Sequence, residues 1–158
     1  MLKKNIYNFI FLLVIILGII TPFIDYFVAI QMFYLLIPCG VILLVSIFLF
    51  IYNLLRHKQN IFRHTSTKII LILPAFLFMQ ILSTYAVDKI QRFRSEQIIR
   101  NLVHNKNYYP NSTHKTLGIE YKKSPNSIHF EIKYERGFFV REIYDSQKKS
   151  WESYGWND

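Results

Sequence analysis

From Asn5 to Leu55 this chain carries one formal charge, Asp25, in 51 residues. No water-soluble domain hides a run of that length, because a helix buried in a core needs a polar face somewhere along it. A helix crosses the roughly 30 Å of bilayer hydrocarbon with about 20 residues, so 51 are too many for one crossing and enough for two. The polar and helix-disrupting residues Thr21, Pro22, Asp25 and Gln31 mark the connection. The spacing therefore predicts a first span near 6–24 and a second near 32–55, an antiparallel hairpin.

A polar stretch from Arg56 to Lys68 follows, and then 19 uncharged residues, Ile69 to Val87, before Asp88. This is the predicted third span. Pro74 within it, and Pro38 with Gly40 in the second, are expected to kink their helices, and Gln80, Ser83 and Thr84 to face another helix. Lys3 and Lys4 precede the first span, and Arg56, Lys58, Arg63 and Lys68 lie between the second and third, whereas the first connection has no basic residue. The positive-inside rule then places the N-terminus in the cytoplasm and the last 70 residues outside it. Lys89, Arg92 and Arg94 just beyond the third span argue the other way, but they begin a longer translocated segment where the rule is weaker. A cleaved signal peptide is the competing reading of the front, and no small-x-small site follows the apolar run to support it.

After Asp88 the pattern becomes that of a surface helix, with Ile90, Phe93, Ile98 and Leu102 broadly on one side. With no Gly or Pro between, one long helix is expected from Thr67 to about His104. It ends before Tyr108-Tyr109-Pro110-Asn111, and the period then changes to two. Ile128, Phe130, Ile132 and Tyr134 alternate with polar residues, as do Leu117, Ile119 and Tyr121 earlier. These read as half-buried antiparallel strands. Ser124-Pro125-Asn126, Arg136-Gly137 and Asp145 to Lys149 supply the turns, with a strand opening at Phe138 between the last two. The expected fold is thus three transmembrane helices plus a small α+β domain, an antiparallel meander of three to four strands packed on the extension of the third helix. Its parts are 1–66 (transmembrane hairpin and cytoplasmic loop), 67–104 (third span and amphipathic extension) and 105–158 (extracytoplasmic meander).

A membrane helix running into an amphipathic helix, a Tyr-Pro after it, antiparallel strands and the closing Tyr144-Asp145-Ser146-Gln147-Lys148-Lys149-Ser150-Trp151 resemble the lollipop of type IV pilins and secretion pseudopilins. They are similar, too, to small bacterial membrane-anchored proteins that share this ending. The resemblance covers about residues 67–158. The chain departs from the pilin pattern in having no processed leader and no Glu near the start of the pilin-like helix. What the resemblance implies is a fold for the tail and a location in the bacterial envelope, not filament assembly.

Motifs for chemistry are sparse. No G-x-S-x-G, P-loop, G-x-G-x-x-G or C-x-x-C occurs, and five glycines leave little room for a phosphate-cradling loop. Glu120, Glu131 and Glu142 sit among Lys and Arg on what read as polar strand faces, where cross-strand ion pairing accounts for them. His104, His114 and His129 share the tail without a zinc spacing, His57 and His64 lie in a basic loop, and the lone Cys39 is mid-span and unable to form an internal disulfide. Asn111-Ser112-Thr113 is a formal glycosylation triplet that is chance in a bacterial protein. No catalytic residue, cofactor or metal is expected. Net charge is +9, but residues 89–158 hold 13 basic against 8 acidic residues in alternation, which does not suggest nucleic acid.

The expected function is that of a bacterial inner-membrane protein whose extracytoplasmic tail binds another envelope protein. One alternative is an immunity protein against a pore-forming or periplasm-acting toxin. Another is an accessory role in pilus or secretion assembly. Transport would need ionisable residues within the spans, and Asp25 alone qualifies. The aromatic surplus of the tail offers Phe139, Tyr154 and Trp156 as a partner-binding surface, and Lys89, Arg92 and Arg94 as anchors to lipid headgroups.

Overall fold

The computed structural model describes residues 2–57, 65–104, 114–123 and 129–155. The chain divides into two units, Met1–Ser83 and Thr84–Asp158.

In the first unit α1 spans Leu2–Ile20 and passes into a 3₁₀ turn, Thr21–Phe23, with Pro22 at its start. Ile24 alone is extended, at φ −112° and ψ 100°, and α2 begins at Asp25. The predicted connection is this short. The second helical run starts at Asp25 rather than near residue 32, and continues through α2 (Asp25–Ile30), a π turn (Gln31–Leu35) and α3 (Leu36–His57). Its irregularity lies just ahead of Pro38, in the widened π turn.

Among the described residues two segments are long and apolar enough to cross a membrane, Ile6–Phe23 and Asp25–Arg56, where the sequence pattern predicts three. The third apolar stretch is divided between α4 (Thr65–Ile70) and α5 (Ile72–His104). Pro74 lacks the amide that would bond the Ile70 carbonyl, and the helix is interrupted at Leu71. Helical bonding persists on either side, from the Leu71 amide to Thr67 O at 3.0 Å and from the Ala75 amide to Leu71 O at 2.9 Å. The apolar part of α5 that remains, 72–87, is shorter than the roughly 20 residues a crossing needs.

α1 and the α4–α5 run lie side by side and parallel. Lys68 Nζ donates to Asn8 Oδ1 at 2.9 Å near one end, and Gln80 Nε2 donates to Thr21 Oγ1 at 2.9 Å near the other. Between them Gly18 faces Phe76 and Met79 so closely that a Cβ there would stand 2.8 Å from the Phe76 carbonyl oxygen and 3.0 Å from Met79 Cβ. Small residues allow this approach of helix backbones.

In the second unit the remainder of α5 packs on one five-stranded antiparallel sheet of order β1-β2-β3-β4-β5, a simple meander. The strands are β1 (His114–Thr116), β2 (Ile119–Lys123), β3 (Phe130–Gly137), β4 (Val140–Asp145) and β5 (Ser150–Tyr154). Three to four strands were expected, and five are present because Leu117-Gly118 is a turn that separates β1 from β2 rather than part of a strand. Both turn residues have positive φ, 48° and 85°, and Thr116 pairs with Ile119 across them. The second departure is at Phe138-Phe139. The sequence places a turn at Arg136-Gly137 and opens a strand at Phe138, but Gly137 closes β3 and pairs with Val140, so the two phenylalanines are themselves the turn.

Ile119, Tyr121, Ile132 and Tyr134 form the core, with Ile98, Ile99 and Leu102 of α5 packed against it. Rings continue across the sheet from Tyr121 to Phe130 (5.9 Å), Tyr144 (6.1 Å) and Trp151 (5.4 Å), and Trp151 meets Tyr134 edge-on at 5.7 Å. Tilted and edge-on pairs of this kind add to the area they bury. The opposite face is polar. Lys133 on β3 pairs with Glu120 on β2 at 3.2 Å.

Candidate functional site

Three constellations stand out, one in the first unit and two in the second. The first is a glutamine junction. Gln80 is 1% exposed, yet its amide is fully engaged: Nε2 donates to Thr21 Oγ1 at 2.9 Å and to Gln31 Oε1 at 2.8 Å, while Oε1 accepts from Gln31 Nε2 at 3.0 Å. Ser83 Oγ bonds the Gln80 carbonyl at 3.0 Å. The junction therefore ties α5 to the end of α1 and to the π turn with neutral hydrogen bonds. It can hold helices together where water is scarce, and it has no group that titrates near neutral pH. Thr84, expected alongside Gln80 and Ser83, falls in the second unit and is half-buried.

The second constellation surrounds Glu142, 4% exposed on the helix-facing side of β4. Its strand neighbours Glu120 and Glu131 lie on the outer face, where Glu131 opposes Lys122 and Asp145. Sequence reasoning put all three carboxylates on polar faces. The signal that could have separated Glu142 is its position two residues before Tyr144, the same face of the strand as the aromatic core. Arg136 donates to Glu142 Oε1 at 3.1 Å, Ser153 Oγ to the same oxygen at 2.6 Å, and Arg92 lies 3.9 Å from Oε2. A buried carboxylate persists only when paired and hydrogen-bonded in this way. Arg92 also stacks over Trp151, 4.0 Å from the ring centroid, and reaches Glu96 at 3.4 Å. Beside it Tyr134 donates to Asp88 Oδ1 at 2.8 Å. Burial, reinforced by Asp88, pushes the Tyr134 phenol well above its ordinary range, so it remains a neutral donor. Oε1 thus holds two hydrogen bonds and Oε2 faces a guanidinium, and the cluster docks the helix on the sheet.

Among the described residues two polar atoms at the same helix–sheet contact lack partners. Ser95 Oγ and Gln91 Oε1, one helical turn apart, are buried without a hydrogen bond, although Gln91 Nε2 donates to the Leu117 carbonyl at 3.0 Å.

The third constellation is one end of the sheet. Phe138 and Phe139 occupy the two central positions of the β3–β4 turn with φ of 53° and 61°, the left-handed region that side chains adopt at a cost of roughly 1–2 kcal/mol per residue. Two-residue turns of this kind ordinarily carry Asn-Gly. Arg141 pairs with Tyr154 across β4 and β5, so the register puts Tyr154 at the same end of the sheet as the Phe138-Phe139 turn. Tyr154 is 40% exposed and its hydroxyl contacts Glu152 Oε2 at 2.5 Å, while Phe139 is half-buried. Trp156, the third residue expected at this surface, lies outside the described residues.

Of the expected headgroup anchors, Arg92 is held by Trp151, Glu96 and Glu142. Lys89 is exposed and sits 5.5 Å from the Tyr85 ring centroid, and Arg94 is half-buried. Among the described residues no group of His, Cys, Asp and Glu could hold a metal ion. Cys39 is free and half-buried. His104 closes α5 and His129 precedes β3, His114 begins β1 and His57 ends α3, and His64 lies outside the described residues. Compared with known proteins, the chain matches no family model, no curated protein and no solved structure.

Proposed function

We propose that this chain is a membrane-anchored binding protein. The first unit holds it in the bilayer of a bacterial inner membrane, and the sheet unit docks another envelope protein through the end that carries Phe138, Phe139 and Tyr154. Membrane residence is supported by the apolar side chains that the two long segments turn outward. Only 17% of the Ile6–Phe23 window and 6% of the Asp25–Arg56 window are buried, the opposite of a soluble core helix.

A third crossing by residues 69–87 is part of this reading. Its support is the parallel alignment with α1. Contacts from Asn8 to Thr21 and from Lys68 to Gln80 advance together over about 20 Å, so where α1 crosses, its neighbour crosses in the same sense. The sheet unit then emerges opposite the N-terminus. Alkaline phosphatase fused after Asp158 is expected to be active, and a cytoplasm-active fluorescent protein at the same point dark. The reverse pattern would mean an even number of crossings and a cytoplasmic sheet unit.

The observation that carries the binding role is the Phe138-Phe139 turn. An aromatic pair in left-handed geometry has an unfavourable backbone conformation that Asn-Gly would relieve, and strain of this kind gathers at functional positions. The full chain with a photoreactive phenylalanine at 139, at 154 or at 122, on the outer face toward the other end of β2, tests it. Adducts of one size from 139 and 154 and none from 122 are expected. Equal labelling from all three, or none with the sheet unit folded, would remove this end as the docking surface. The identity of the adduct then distinguishes a toxin, and hence immunity, from a component of pilus or secretion assembly.

A further inference from the structure

Within the second unit α5 turns Asp88, Ser95, Ile99 and Leu102 toward the sheet, and the opposite side of its first turns is left bare. Tyr85, Ile90 and Phe93 are 60%, 56% and 58% exposed. Tyr85, Lys89 and Phe93 follow at intervals of four and so stand in one line along the helix, with Ile90 beside them. Single exposed apolar residues are ordinary on a protein surface. Here three large ones occur within nine residues of one helix, and they flank a lysine whose ammonium lies 5.5 Å from the tyrosine ring centroid.

Charge narrows the choice of what covers this face. Lys89 and Arg94 make no ion pair among the described residues, whereas Arg92 is occupied by Glu96, Glu142 and Trp151. The uncharged stretch 69–87 immediately precedes the face in the same chain. Tyrosine rings, phenylalanine on the apolar side of an interfacial helix, and basic residues without an acidic partner are favoured where acyl chains meet anionic headgroups.

We infer that the Tyr85–Lys89–Ile90–Phe93 face lies in the headgroup layer of the bilayer, with the lipid surface as its partner and lipid phosphates as the counter-ions of Lys89 and Arg94. Phe93 lies six positions beyond Val87, about 9 Å along the helix, against a headgroup layer roughly 5–7 Å deep. Ile90, half as far along the helix, falls inside that layer, and Phe93 reaches its outer part. The inference rests on the membrane residence of the first unit, and the experiment below separates the two.

The full chain carrying Cys39→Ser is reconstituted in phosphatidylcholine vesicles containing phosphatidylglycerol. Nitroxide labels are placed one at a time at Phe48→Cys, Ile90→Cys, Phe93→Cys and Lys122→Cys. Phe48 is 71% exposed on α3 and reports residence in lipid, and Lys122 is exposed on the outer sheet face and reports water. The ratio of oxygen to nickel-chelate accessibility is expected to be several-fold higher at 48, 90 and 93 than at 122. A second arm reads the headgroup charge: with phosphatidylcholine alone the ratio at 93 is expected to fall toward that at 122. Nickel exposure at 90 and 93 equal to that at 122, with 48 still in lipid, would overturn the inference and leave membrane residence standing. Nickel exposure at 48 as well would remove both. Shielding of 90 and 93 from oxygen and nickel alike would mean a protein cover, such as a second copy of the chain, and would also overturn it.

Discussion

The two units bury opposite things. In residues 2–57 and 65–83 large apolar side chains such as Phe9, Tyr34, Phe48 and Leu55 point outward, and the buried centre is the amide of Gln80 with Thr21 and Gln31. From Thr84 onward the core is Ile119, Tyr121, Ile132 and Tyr134, and charges cover the outer sheet face. Even the polar groups they enclose differ in kind. The first unit encloses neutral amides, which cost little to remove from water once hydrogen-bonded to each other, and the second encloses the carboxyl group of Glu142 between two guanidinium groups and a hydroxyl. The two units therefore follow different packing rules, and substitutions of the same kind should have different consequences in them.

The largest effect is expected from Ile132→Ala. Ile132 is 0% exposed at the centre of the sheet, and its truncation should cost about 3 kcal/mol of sheet-unit stability, read from chemical unfolding followed by tryptophan fluorescence. The same truncation at Phe48, 71% exposed, should leave the first unit's helicity in detergent unchanged. A large loss at Phe48 would break the comparison.

Glycines sharpen it further. Gly18→Leu places a side chain against the Phe76 carbonyl oxygen and should destabilise the packing of α1 on α5 by about 2 kcal/mol, measured as thermal unfolding in detergent. A Cβ added at Gly40 meets no atom within 4 Å, and Gly40→Leu should be neutral or slightly stabilising.

A smaller effect, of opposite sign, is expected from the double variant Phe138→Asn with Phe139→Gly. It supplies residues suited to two positive φ angles and should stabilise the sheet unit by about 1 kcal/mol while abolishing the crosslink from this end. A loss of stability would show instead that the rings contribute more to packing than the turn costs.

The last effect appears only in alkali. Because the Tyr134 phenol is raised above its ordinary value of 10.0 by burial and Asp88, the unfolded chain releases that proton first as pH rises. Sheet-unit stability should thus be insensitive to this group below pH 10.0 and decline above it, by at most about 1.4 kcal/mol per pH unit. Tyr134→Phe should remove that share of the alkaline decline. An unchanged slope would mean that the phenol titrates normally.

How much of this was legible depended on whether the signal was carried by pattern or by partner. The two long apolar segments, the strand from Phe130 and the turn from Asp145 to Lys149 follow from charge spacing, period-two alternation and turn residues. The fifth strand was missed because Leu117 extends an apolar alternation through what is a turn, and the true position of the β3–β4 turn was missed because phenylalanine is not a turn residue. Glu142 looked like any other strand carboxylate until its neighbours across the sheet and on the helix were known. At the candidate surface, Phe139 and Tyr154 share one end of the sheet only through the β4–β5 register. Arg92, by contrast, reads as a headgroup anchor in one dimension and is a docking residue in three.

The parallel run of α1 beside α4 and α5 acts as a measuring rule written twice in the chain. Asn8 to Thr21 and Lys68 to Gln80 are separated by nearly equal numbers of residues, and the bonds at both ends fix one length against the other. A single residue inserted between Asn8 and Gly18 would turn everything after it by about 100° and shift it about 1.5 Å, carrying Gly18 off Phe76 and Thr21 off Gln80. A matching insertion between Lys68 and Phe76 would be needed to restore both contacts. Changes of length in these two segments are thereby coupled, although nearly 50 residues of chain separate them.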